Sequence, residues 1–123
     1  MNYLAIDYGT KKIGLAYSVS GIITPLKTLP NDDQIFDKLT KLSKELDIGK
    51  IYVGVSEGRV AKLTQKFVSK LSIMLELPIE TVEESASTIE ADQIYKNNGH
   101  QKNNYKKNID SIAAAVILRR VIN

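Results

Sequence analysis

Ala5-Ile6-Asp7-Tyr8-Gly9-Thr10-Lys11-Lys12-Ile13-Gly14-Leu15-Ala16 is the stretch that decides the fold of this chain. Residues 3 to 8 and 12 to 18 are short aliphatic and aromatic runs, and Gly9-Thr10-Lys11 between them has the composition of a hairpin connection. The chain is therefore expected to open as two paired strands. Asp7 ends the first strand, and strand alternation puts it on the face of Tyr3 and Ala5 rather than in the turn. A carboxylate at the end of an apolar strand needs a partner or a task, because burying it unpaired is costly.

Outward from the hairpin, Ile22, Ile23 and Leu26 predict a third strand after Gly21, kept to an edge or ended early by Pro25. From Asn31 the period changes. Ile35, Phe36, Leu39, Leu42 and Leu46 trace one helical face, opposite Asp37, Lys38, Lys41, Lys44 and Glu45, with Asn31 or Asp32 as cap. Ile51 to Val55 is a continuous apolar run, as in a buried strand. Val60, Leu63, Phe67, Leu71, Met74 and Leu75 mark a second helix, and Pro78 leads into a strand over Ile79 to Glu84. Strand, helix, strand implies a parallel crossover. Ser87-Thr88-Ile89-Glu90 has capping-box spacing and predicts a third helix to about Asn97, with Gly99 past its end. Residues 96 to 108 carry four lysines, the sole histidine and no acid, and read as a mobile basic loop. Ile109, Ile112, Ala113, Val116, Ile117 and Val121 then mark a terminal helix, packing through the small surface of Ala113-Ala114-Ala115. The expected architecture is α/β: an antiparallel N-terminal hairpin or meander plus parallel strands in one mixed sheet, flanked by about four helices. Residues 1–123 are read as a single domain.

At 123 residues and 43% hydrophobic, the chain can fill one core without cross-links. It contains no cysteine, which removes disulfides, thiolate zinc and thiol nucleophiles together. With His100 the sole histidine, a multi-histidine metal site within the chain is also excluded, and carboxylates and lysines must carry any chemistry. His100 itself reads as an exposed loop residue. Seventeen basic against fourteen acidic residues give a net charge of +3, a mild excess that permits nucleic-acid binding. No basic leader region precedes an apolar signal segment, and no run approaches the roughly 20 residues needed to span a bilayer. A cytoplasmic protein without membrane partners is expected.

Three acids stand on elements that should be buried or nearly so: Asp7, Glu84 and Asp110. Glu84 closes a strand at the end where open α/β sheets place ligands. Asp110 has Ala113, Ala114 and Ile117 as helical neighbours, so it should face inward. Small residues at Ala5, Gly14 and Ala16 would let this helix approach the first two strands, bringing Asp110 toward Asp7. Converging carboxylates are hard oxygen ligands suited to Mg²⁺ or Mn²⁺, and phosphoryl transfer at two such ions needs no side-chain base. Each acid also has a plainer reading: an Asx-type turn for Asp7, and complementing a helix dipole for Glu84 and Asp110. The lysine-rich stretch is either a solvated surface or a phosphate contact through Lys102, Lys106 and Lys107, with Tyr105 stacking on a base.

Residues 5 to 16 resemble the opening of the YqgF/RuvX family, the pre-16S rRNA nucleases and Holliday junction resolvase-like proteins. Lys50-Ile51-Tyr52-Val53-Gly54-Val55 is similar to the family's central strand, Glu83-Glu84 to its second acidic motif, and Ile109-Asp110-Ser111-Ile112-Ala113-Ala114 to its acid-bearing terminal helix. The resemblance spans nearly the whole chain. It implies an RNase H-like fold and a divalent-metal-dependent nuclease in which Asp7, Glu84 and Asp110 are the metal-holding catalytic acids. Pre-rRNA is then the favoured substrate and branched DNA the alternative, with Lys11, Arg59, Lys102, Tyr105, Lys106 and Lys107 as candidate contacts, in a monomer or homodimer. Two departures accompany it. The family's Asp-Glu-Arg followed by Thr-Thr is here Glu83-Glu84-Ser85 and Ser87-Thr88, and Ser56-Glu57-Gly58 replaces a longer loop before Arg59, which is the candidate substitute cation. They keep open a non-catalytic nucleic-acid-binding module of the same fold. Asp-x-Gly-Thr in a hairpin also resembles the phosphate loop of the sugar kinase superfamily, whose clefts lie between two such domains.

Overall fold

The computed structural model describes residues 1–55, 59–83 and 102–122, and the side chains of all of these except 59–60 and 102–110. Strand β1 (Asn2–Asp7) pairs antiparallel with β2 (Lys12–Val19), with Asp7 opposite Gly14. Ser20 and Gly21 then turn the chain at φ of 53° and 82°, the left-handed geometry of a tight two-residue hairpin, into β3 (Ile22–Pro25). The Pro25 strand lies at the sheet edge, as its missing donor predicts. A two-residue strand β4 (Leu29–Pro30) pairs with the start of β2 and was not among the expected elements, being too short to show a period. The helix α1 (Ile35–Glu45) leads to β5 (Ile48–Val55), which lies parallel to β1 and begins three residues before the apolar run. The expected crossover is present: α2 (Arg59–Met74) connects β5 to the parallel strand β6 (Ile79–Glu83). The terminal helix α3 spans Lys102–Ile122.

Sheet order is β3-β2-β1-β5-β6, and pleating sorts its side chains into two cores. On one face Leu4, Ile6, Ile13, Leu15, Ile51 and Val53 meet Ile35 and Leu39 of α1 and Phe67 and Leu71 of α2. On the other, Ala5, Ala16 and Tyr52 meet Ala114, Ala115, Ile117 and Leu118 of α3. Alanine on alanine is the close approach expected of the terminal helix.

Three expectations are corrected. The cap of α1 is Gln34, not Asn31 or Asp32. Asn31 is engaged elsewhere, and Asp32 Oδ1 accepts a hydrogen bond from the Gln34 N–H at 3.0 Å. On α2 the buried stripe is Thr64, Phe67, Leu71 and then Leu75, while Leu63 and Met74 are 41% and 44% exposed. The mobile loop expected over 96 to 108 does not hold from Lys102 onward, because α3 starts there and runs through Asn108 despite its asparagines. A helix whose later turns are buried extends past residues of weak propensity. The expected third helix, to Asn97, lies outside the described residues. No helix among the described residues is long and apolar enough to cross a membrane.

Candidate active site

Asp7 is the last residue of β1, and the ladder continues beside it on both sides, Gly14 on β2 and Gly54 on β5 standing directly opposite. Both glycines are buried and Asp7 is half-buried. With no side chain on either neighbour, the carboxylate has room along the sheet to both sides, on the face that α3 covers. Gly54 was not singled out from the sequence alone, although a glycine inside an apolar strand marks a place of close approach.

The loop after Asp7 is braced from outside the hairpin. Asn31 donates its backbone N–H to the Lys11 carbonyl at 2.9 Å and its side-chain Nδ2–H to the Gly9 carbonyl at 2.9 Å. A Cβ on Gly9 would stand 2.4 Å from the Lys12 carbonyl oxygen, so this loop accepts only glycine there without moving. Lys11, exposed in that loop, shares the sheet edge of Asp7.

Next to Gly14, the partner of Asp7, α3 is tied to β2 by a buried hydrogen bond from the Leu15 N–H to Ser111 Oγ at 3.3 Å. The β2 ladder changes partner at this point, from β4 through Ile13 to β3 from Ala16. Ser111 satisfies the amide left between them. Asp110 precedes Ser111, so its backbone lies beside the Gly14–Leu15 segment that pairs with the end of β1. Its side chain lies outside the described residues. Because α3 begins at Lys102, Asp110 is about two turns inside the helix, beyond the reach of the N-terminal dipole that was its plainer explanation.

Glu84 immediately follows β6 and lies outside the described residues, as does His100. Among the described residues no three acidic or histidine side chains gather at one point. Arg59 opens α2, and Lys102, Tyr105, Lys106 and Lys107 fall in the first turns of α3, with side chains outside the described set. The clearest electrostatic pair stands away from this edge. Lys50 on β5 contacts Glu80 Oε2 at 3.1 Å and lies 4.9 Å from the Tyr52 ring centre. The hydrogen bond to Glu80, ahead of that to Tyr52, holds the Lys50 amine above the ordinary lysine value.

A cleft of about 510 Å³ opens one residue past Asp7, between Tyr8, the Asn31–Asp33 segment and α2. Tyr8 and Phe36 pack around Phe67 with ring centres 5.0 and 5.3 Å from it. Lys66 and Lys70 line one side, Asp32 and Asp33 the other. The sequence signal for these lysines was a charge period on α2 that the apolar pattern overshadowed.

An antiparallel hairpin feeding a parallel β1–β5–β6 unit, with helices on both faces and an acid ending the first strand, defines the RNase H-like class. RuvC of T. thermophilus, solved in complex with a Holliday junction substrate, shares this fold at a TM-score of 0.63 and 12% identity, over 98% of this chain and 95% of that one. The RuvX family model, described as Holliday junction resolvase, matches residues 1–123, and the chain belongs to that family. A relative from Sulfurimonas denitrificans, named "Putative pre-16S rRNA nuclease", is 34% identical over 99% of this chain and 97% of its own length. One of the same name from Rickettsia typhi is 34% identical over 98% of this chain and 83% of its own.

Proposed function

We propose that the protein is a divalent-metal-dependent endonuclease that hydrolyses phosphodiester bonds in 5′-end maturation of pre-16S rRNA, with Asp7, Glu84 and Asp110 as its metal-holding acids. The observation that carries this is the half-buried Asp7 between Gly14 and Gly54, on the face covered by the helix of Asp110. Carboxylate oxygens with open space beside them fit Mg²⁺ or Mn²⁺, and the chain offers no thiolate or imidazole cluster for a softer metal. When bound, such ions supply Lewis-acid stabilisation of phosphoryl charge and a more acidic water.

The chain's own residues do the rest. Ladders on both sides hold the Asp7 backbone at a fixed point, and the Asn31 brace keeps the following loop from shifting it. Lys11 and Arg59 bring positive charge to the carboxyl end of the sheet, where the phosphates flanking the cut lie. Lys102, Lys106 and Lys107 extend that charge along α3, with Tyr105 available to stack on a base. The names of the curated relatives favour pre-rRNA as the substrate, and we read its processing as cytoplasmic. The family's description favours a second reading, cleavage of a four-way DNA junction, which calls for two sites and hence a homodimer rather than a monomer.

Both readings are tested together. A precursor rRNA 5′ segment and a synthetic four-way junction are incubated with wild type and Asp7→Asn in Mg²⁺, Mn²⁺ or chelator. Metal-dependent cutting of the RNA, reduced on the order of 100-fold or more in Asp7→Asn, supports the proposal, since even outer-shell partners of a metal are worth 10–100-fold. Cutting of the junction alone selects the resolvase. Binding without cutting selects the non-catalytic module.

A further inference from the structure

One charged surface is not used by this reading. Lys62, Lys66 and Lys70 recur every fourth residue of α2, and the helix Arg59–Met74 contains no acid. At 1.5 Å and 100° per residue they rise by about 6 Å each and fall within about 80° of the helix circumference. All three are exposed, on the side away from Thr64 and Leu71. Among the described residues no carboxylate lies within 4.0 Å of any of their ammonium groups. A merely solvated lysine face is normally interleaved with acids at i+3 or i+4. A row at this interval with no acid on its own helix matches instead the succession of phosphates along a nucleic-acid strand.

The cleft supplies an independent second observation. Lys66 and Lys70 rim it, and Tyr8, which follows Asp7 in sequence but packs on the opposite face of the sheet with α1 and α2, lines it at the same end of β1. Its volume, about 510 Å³, lies within the range of pockets that enclose a small ligand. The half-buried rings of Tyr8 and Phe36 offer an aromatic wall, and the Lys70 amine sits 4.9 Å from the centre of Phe36. Asp32 and Asp33 on the far rim repel phosphate and accept hydrogen bonds. Phosphates are thereby confined to the α2 side, and sugar hydroxyls or base amino groups to the other. An aromatic wall takes a base by its face, which only an unpaired strand offers.

We propose that α2 and this cleft form a track for a single-stranded flank of the substrate, with phosphates on Lys62, Lys66 and Lys70 and a base against Tyr8 and Phe36. It rests on the nuclease reading and adds to it the class of strand that the site receives. The test compares the triple variant Lys62→Gln/Lys66→Gln/Lys70→Gln with a charge-matched control, Lys27→Gln/Lys41→Gln/Lys44→Gln, whose lysines are equally exposed elsewhere. Binding of a labelled single-stranded RNA is followed by anisotropy across a KCl series in chelator. The slope of log affinity against log salt should flatten by about 2 in the first variant, three phosphates at roughly 0.7 each, and stay unchanged in the control. Affinity for a blunt duplex of the same length should be unaffected. An unmoved slope, an equal change in the control, or an equal loss on the duplex would overturn the track. If wild type cuts while the slope is unmoved, the track fails and the nuclease stands. If wild type neither binds nor cuts nucleic acid, the nuclease reading fails and takes the track with it.

Discussion

Ser111→Ala and Ser43→Ala delete the same oxygen from two helices and are expected to shift stability in opposite directions. Ser111 is 1% exposed and its hydroxyl accepts the Leu15 N–H, itself in a residue 1% exposed. Ser43 on α1 is 4% exposed, and its Oγ has no hydrogen-bond partner among the described residues. Both substitutions gain about 0.5 kcal/mol of helix propensity, so that contribution cancels between them. Orphaning a buried amide costs about 1–3 kcal/mol, and the 3.3 Å separation argues for the lower half of that range. Removing an unpartnered buried hydroxyl recovers a desolvation cost of about 1 kcal/mol. Ser111→Ala should therefore lose roughly 1 kcal/mol and Ser43→Ala gain about as much. In urea, with a slope of about 2 kcal/mol/M, the two midpoints should separate by about 1 M. Amide hydrogen exchange adds a local readout: Leu15 should lose protection in Ser111→Ala alone. Midpoints moving the same way in both variants, with Leu15 still protected, would refute the role given to this bond.

Gly9→Ala is expected to destabilise by about 1–3 kcal/mol, because the new Cβ meets backbone that cannot yield without shifting the loop. Its kcat should fall further than its melting temperature suggests, because the displaced loop follows Asp7; steady-state kinetics beside thermal melting separates the two effects. The raised pKa of Lys50 means that its pairing favours the folded state fully below the ordinary lysine pKa, and that this contribution is lost as pH rises through the higher folded value. Glu80→Gln should return the amine toward the ordinary range, read by NMR of the lysine side chain. Stability at neutral pH should barely change, since the pair is exposed to water at 31% and 57%.

The hairpin was legible because its two strands and its turn are neighbours in sequence, and Asp7 because alternation needs only β1 itself. What stands opposite Asp7 was less accessible. Gly54 lies 47 residues away, and its register with β1 is set by how two strands pair, which no local pattern encodes. On α2 the apolar residues Leu63 and Met74 resemble core, yet geometry selects Thr64, which continues the 67, 71, 75 stripe exactly where a side chain must fit under the sheet. The first turns of α3 show the reverse error. Their asparagines and lysines have the composition of a loop, whereas the buried alanines downstream carry the helix back through them. The lysine row followed the same helical period as the core and was hidden by attention to apolar residues.

The bond between Leu15 and Ser111 joins positions 96 residues apart. During synthesis the hairpin with Asp7 emerges well before the helix that closes its second face. Until then, Ala5, Ala16 and Tyr52 have no cover from that helix, and Asp7 and Glu84 lack the third proposed acid. At a translation rate of about 5–20 residues per second, the chain spends several seconds in this state. On the proposed assignment of Asp110, the site is incomplete until α3 has been made and has docked against β2.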